Sequence, residues 1–380
     1  MSQDPFDIPL FREIQKILAS GEGPLNMEIA RQVATAVTQD LGGSGGDLDA
    51  ARELQEAVHS AELLVSGYTR LALEEPARTE VTDPRAWVRR TLEGWNWLLS
   101  HLAQRFSDQV TSFAGDRGDE VDQMGAVMGQ IAPLLLGMQA GTLVGQIARE
   151  SMGRYDPPIP RDDDGHLFFV GATIERVASE YDLDVATFRR WLALHDVSRH
   201  IVMATHPWVG RYRRSLFIEL VDSIEIDASD LERRLAELQT RGPEALQQGL
   251  EGAEMLPIVQ TERHRRALER LRAFTAVLEG YAHHSSTAVM QTLVGDASRI
   301  EEGMRRRAAS PTDGETMLDA MLGISFDRAL EQSGATFVAA IVELRNMDAL
   351  NRVWEAPDNL PTIEEIKDPF AWMERIEVEE

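Results

Sequence analysis

The chain has 380 residues, 43% hydrophobic and 27% charged, which suits one large buried core or two or three compact units and excludes a disordered or fibrous chain. Its 38 basic against 63 acidic residues leave a net charge of -25, which repels phosphate backbones and anionic lipid, so nucleic acid and membrane are not expected partners; an unidentified protein or peptide is. Cysteine is absent, which excludes disulfides, a thiolate nucleophile and a Cys-based zinc finger, and leaves any metal to His and carboxylate ligands.

The first residues, M-S-Q-D-P-F-D-I-P-L-F, lack the basic start and apolar run of a signal peptide, and a cytoplasmic protein is expected. Residues 6 to 19 predict a short amphipathic helix, 25 to 39 a second, and the glycines of 42 to 46 a flexible turn. From Asp47 to about Leu73 a helical period returns, with a lone His59 that reads as a surface or packing residue. Thr82 or Asp83 before Pro84 marks a helix start, after which Trp87, Leu92, Trp95 and Leu99 form one apolar face. Tryptophans at that spacing point to core packing rather than to a ligand platform.

Residues 123 to 148 carry no charge and are long enough to cross a bilayer. Four spaced glutamines and the missing basic flank favour a buried central helix instead. The ladder Gly137, Gly141, Gly145 on that segment is a face another helix can approach closely. The turn D-D-D-G at 162 to 165 lacks the ligand spacing of a calcium loop and reads as solvated. H-L-F-F-V-G (166 to 171) is the most strand-like run in the chain, and a helix from about Ala172 to Tyr181 follows it. An acidic helix near Asp227, a long helix over 261 to 293, a basic loop edge at 303 to 307 and a Pro-punctuated helical tail complete the pattern. The expected fold is mainly α, with a very small sheet edge near Leu167 to Val170.

Residues 186 to 209 are the centre of this pattern. Phe188, Leu192, Val197 and Ile201 give a buried helix ending before Pro207, and into it the sequence sets His195, Asp196, Arg199 and His200. Polar groups on a core helix cost about 1–3 kcal/mol each unless paired or ligated, which makes this the place to look for chemistry. A zincin uses H-E-x-x-H because imidazoles at i and i+4 share one helix face and grip zinc while the Glu holds the attacking water. Here His195 to Arg199 read H-D-V-S-R. His200 lies about 140° round the helix from His195, so the two cannot face one metal. Glu279 and His283, at i and i+4, share a face, and His195, Glu279 and His283 form a conceivable three-ligand site. Ser198 sits too close to His195 for a triad, and no G-x-S-x-G occurs.

The order F-F-V, acidic turn, F-R-R-W-L-A-L-H-D-V-S-R, H-P-W-V, L-E-G-Y-A-H-H, then N-R-V-W-E-A-P-D-N-L-P-T-I-E-E-I-K-D-P-F-A-W resembles the zincin-like metallopeptidase family of actinobacteria and other bacteria. Members carry hydrolase labels or an association with deazaflavin-coenzyme biosynthesis. The resemblance covers most of the chain, and its stretch from Asn351 to Trp372 is the most specific. It implies a zincin-like core over 83 to 300 between an N-terminal helical region, 1 to 82, and a C-terminal closure, 301 to 380, in one compact unit. It also implies zinc as the cofactor, with His195 as first ligand, Asp196 at the general-base position, Arg199 at the second-ligand position and Glu279 as third ligand. Two of these depart from the pattern. Asp shortens the base by a methylene, and Arg stays protonated and has no lone pair for a metal. The expectation is therefore a metal-dependent hydrolase whose site is degenerate, with Arg199 standing in place of the ion between Asp196 and Glu279; the alternative is a non-catalytic interaction or scaffold protein that uses the cleft or the glycine-ladder helix.

Overall fold

The computed structural model describes residues 23–41, 48–115, 119–163, 165–226, 258–259, 261–293, 297–324 and 328–377. The helix expected over 6 to 19, the glycine turn of 42 to 46 and the acidic helix near Asp227 lie outside the described residues. In chain order the helices are α1 (Met27–Val37), α2 (Leu48–Thr69), α3 (Pro84–Gly94), α4 (Asn96–Gly115), α5 (Asp119–Glu150), α6 (Gly171–Glu180), α7 (Val185–Thr205), α8 (Pro207–Asp222), α9 (Glu262–Leu293), α10 (Ser298–Arg307), α11 (Asp313–Leu322), α12 (Arg328–Leu344), α13 (Met347–Asn351), α14 (Ile363–Lys367) and α15 (Pro369–Arg375). The described strands are β1 (Thr79–Thr82) and β2 (Leu167–Val170), a parallel pair, and the antiparallel pair β3 (Glu225–Ile226) and β4 (Ile258–Val259). The protein is mainly α with a very small sheet, as its sequence predicts.

Local chemistry sets these boundaries. Asp83 caps α3 by accepting from the Ala86 amide at 2.8 Å, with Pro84 in the first turn, where its missing N–H costs nothing. Asp184 caps α7 in the same way, accepting from Thr187 at 2.9 Å. The four residues of β2 are all buried, since helices cover it and β1 pairs it residue for residue from Thr79 to Thr82. T-E-V-T carries too little apolar character to announce β1 on its own.

The glycine ladder is already occupied. On α5, a Cβ at Gly137 or Gly141 would stand 2.5 Å from the carbonyl oxygens of Asn26 and Ala30, and one at Gly145 would stand 2.7 Å from Val37, so α1 lies directly on the ladder. That face is thus an internal seat and offers no docking surface for another protein. Among the described residues no helix is long and apolar enough to cross a membrane.

Around α7 pack α2, α8 and α9, and α12 crosses α9. The second crossing is backbone against backbone: a Cβ at Gly334 would sit 2.1 Å from the Ala276 carbonyl oxygen, and one at Gly280 would sit 2.5 Å from Gly334. Gly280 therefore lets α12 close onto α9 immediately beside Glu279. The run at 303 to 307, expected as a loop edge, is instead the end of α10, where three arginines meet the negative end of the helix dipole.

The stretch from Asn351 to Trp372 is a latch. Trp208 donates its indole N–H to the Trp354 carbonyl at 2.7 Å; Tyr281 donates to Asn351 Oδ1 at 2.9 Å; Asn351 Nδ2 donates to the Thr69 carbonyl at 2.8 Å. Trp372 Nε1 reaches the Asn359 carbonyl at 2.7 Å. Both Trp354 and Trp372 are fully buried. Buried carbonyls need partners, and these indoles and amides supply them.

Candidate functional site

The middle of α7 delivers His195, Asp196 and Arg199 to one cavity, and the middle of α9 delivers Glu279 to the same wall. The site is built around one guanidinium. Arg199 Nη1 donates to Asp196 Oδ1 at 2.8 Å, and its Nε donates to both Glu279 oxygens at 3.0 Å. Its Nη2 makes a further, very short bond to Glu279 Oε2. Side-chain exposure is 3% for Asp196 and 14% for both Arg199 and Glu279, so these bonds are largely shielded from water. The Arg199 guanidinium carbon also lies 5.9 Å from the Tyr155 ring centroid.

The titration behaviour follows from this geometry. Burial pushes the Asp196 carboxyl up to about 7, against the pull of Arg199 and helped by the nearby Asp156 and Glu279. One cation cannot hold every neighbouring carboxylate charged. Burial opposes the charge on Arg199, but Glu279 and Asp196 outweigh it and raise its pKa. His195 is held well below the ordinary imidazole range by burial, then by Arg199 and His283, so it is neutral. His200 turns away from the cavity: its Nδ1 meets the Tyr155 hydroxyl at 3.3 Å, and burial lowers its pKa to about 4. Ser198 is fully buried and donates back to the Leu194 carbonyl at 2.7 Å, which leaves it no role as a nucleophile.

His195, Glu279 and His283 line one wider cavity of about 700 Å³, with Arg199 beside them. Among the described residues no group of three or more His, Asp or Glu side chains is arranged to hold a metal ion. The donor set does not fit zinc as it stands, because Glu279 has both oxygens bonded to a guanidinium that cannot deprotonate or coordinate. The other flagged positions resolve as packing or surface. His59 is exposed near Glu62. Trp87, Leu92, Trp95 and Leu99 are core. The acidic turn is exposed at Asp162 and Asp163, as expected, with Arg154 clamping Asp163 through two bonds of 2.6 and 2.9 Å.

Several wall residues had no signal in the sequence. Tyr155 and Asp156 come from the loop after α5, Arg307 from α10 and Glu331 from α12. Trp191 could have been found, since it stands one turn before His195; its ring lies 5.0 Å from the His195 ring and is stacked on Phe188 at 5.9 Å.

The family model for zincin-like metallopeptidases matches residues 25–373. The chain belongs to that family. A solved structure from Chloroflexus aurantiacus, described as that of a candidate hydrolase with a novel fold, aligns with a TM-score of 0.66 at 24% identity, covering 94% of this chain and 100% of the other. That likeness is one of fold. No curated protein matches the chain. Within that match, α7 carries the H-D-V-S-R segment and α9 carries Glu279.

Proposed function

We propose that this zincin-like protein is a non-hydrolytic member of its family, which binds a protein or peptide segment in the cleft over Arg199 and does not cleave it. The observation that carries the reading is the guanidinium of Arg199 bonded at once to Asp196 and Glu279, the general-base and third-ligand positions of the family pattern. A fixed positive charge there satisfies two buried carboxylates that would otherwise need a metal. Asp196 cannot act as the base of a bound water while its carboxylate is tied to Arg199 and its pKa lies near 7.

A second reading, a zinc hydrolase using His195, Glu279 and His283, is favoured by their sharing one cavity wall, but it requires Arg199 to release Glu279. A peptide-library hydrolysis assay with added zinc, with and without chelator, separates the two. The expected result is no chelator-sensitive turnover. Chelator-sensitive cleavage that is lost in His195→Ala would establish the second reading instead.

A further inference from the structure

The site cavity, of about 260 Å³, and the wider one share Trp191, His195, Arg199, Glu279 and Glu331 as walls. Every arginine on those walls already faces acid: Arg199 holds Asp196 and Glu279, Arg305 donates to Glu302 at 2.8 Å, and Arg307 lies 3.8 Å from Glu150 and 4.0 Å from Asp156. Glu301 and Glu315 also line these walls and face no arginine of these pairs, which leaves the cleft with surplus negative charge. Surplus charge alone is common in so acidic a chain. What sets this place apart is His195, only 9% exposed, lining both cavities and making no hydrogen bond through either ring nitrogen to any described residue. A neutral imidazole of this kind keeps one acceptor nitrogen open, and on the wall of both cavities a ligand or water can complete it.

We propose that the cleft over Arg199 binds a cationic side chain, arginine or lysine presented by a peptide, whose N–H groups donate to His195 and to the rim carboxylates of Glu301 and Glu302. This rests on the non-hydrolytic reading and names its ligand class. The methylene stem of such a side chain matches the apolar wall of Trp191 and Met304, and its charge offsets the acid surplus. An acidic or phosphorylated segment would meet repulsion from the same rim.

The test uses the full chain in chelator, titrated calorimetrically with acetylated, amidated Gly-X-Gly peptides in which X is Arg, Lys, norleucine or Glu. The Arg and Lys probes are expected to bind saturably and about ten-fold or more tighter than the norleucine and Glu probes, with affinity falling as salt is added. The pair Glu301→Gln and Glu302→Gln should weaken the Arg probe by about five-fold, whereas Glu56→Gln on another face should not. His195→Leu should weaken it while His195→Gln, which keeps an acceptor, should retain most binding. Equal affinity for the Glu or norleucine probe, no saturable binding of any probe, or indifference to the rim pair would overturn the proposal. Stoichiometric zinc in the wild-type chain would overturn the non-hydrolytic reading beneath it, whereas a zinc-free chain that ignores the Arg probe would remove this inference alone.

Discussion

Arg199 and Arg161 are both shielded from water, and they answer burial in opposite ways. Arg199 lies among carboxylates, and its pKa is raised. Arg161 lies among rings, its guanidinium carbon 5.1 Å from Trp87, 5.1 Å from Trp95 and 5.0 Å from Phe168. It donates to Thr91 Oγ1 at 2.8 Å but keeps one nitrogen unpartnered, and burial, then the charge of Arg154, lowers its pKa to about 9. Aromatic faces offer a cation about 0.5–2 kcal/mol, whereas removing one member of a buried ion pair costs about 3–5 kcal/mol. The difference teaches what each arginine is for. Arg161 ties the loop before β2 to the tryptophan face of α3, while Arg199 is what makes the two buried acids Asp196 and Glu279 tolerable.

Three changes sharpen or break this contrast. The largest effect is expected from Arg199→Ala, which strands Asp196 and Glu279 and should cost about 3–5 kcal/mol in urea denaturation. Adding Asp196→Asn and Glu279→Gln should recover more than half of that loss. A cost of Arg199→Ala no larger than about 1 kcal/mol, the level of an exposed pair, would break the contrast. Next comes Arg161→Met, which keeps the stem and loses the ring and Thr91 interactions; about 1–2 kcal/mol is expected, and a loss equal to that of Arg199→Ala would show that the carboxylates add nothing.

The smallest effect is a slope against pH. Asp196 titrates near 7 when folded, against a reference value of 3.8, so between those values the folded chain holds more protons than the unfolded one. Its contribution to stability is therefore full below 3.8 and is lost as pH rises through about 7. Asp196→Asn should remove that decline in urea titrations from pH 4 to 8, and an unchanged decline in the variant would assign it to another group.

Much of this fold was legible in the sequence where period and caps agree. α7 and α9 carry their apolar faces in plain 3.6-residue spacing, and Asp83 with Pro84 marks its own helix start. β1 was not legible, because T-E-V-T is a strand only through its partner β2. The polar intruders on α7 marked the candidate site, and H-D-V-S-R marked its departure from a zinc motif. The rest of the cleft was hidden for a physical reason. Tyr155, Arg307 and Glu331 reach it from distant parts of the chain, and each sits in a local pattern that also suits a solvated surface. The glycine ladder was read correctly as a close-approach face, but only the structure shows that α1 already fills it.

The central claim is that a guanidinium stands where the family pattern sets a metal ligand, and metal content tests it most directly. Wild-type protein and the Arg199→His variant, each dialysed against zinc and then against buffer, would be compared by elemental analysis. The account predicts no retained zinc in the wild type and about one ion per chain in the variant, where His195, the new histidine and Glu279 complete a ligand set. One tightly held zinc per wild-type chain, lost on His195→Ala, would contradict it.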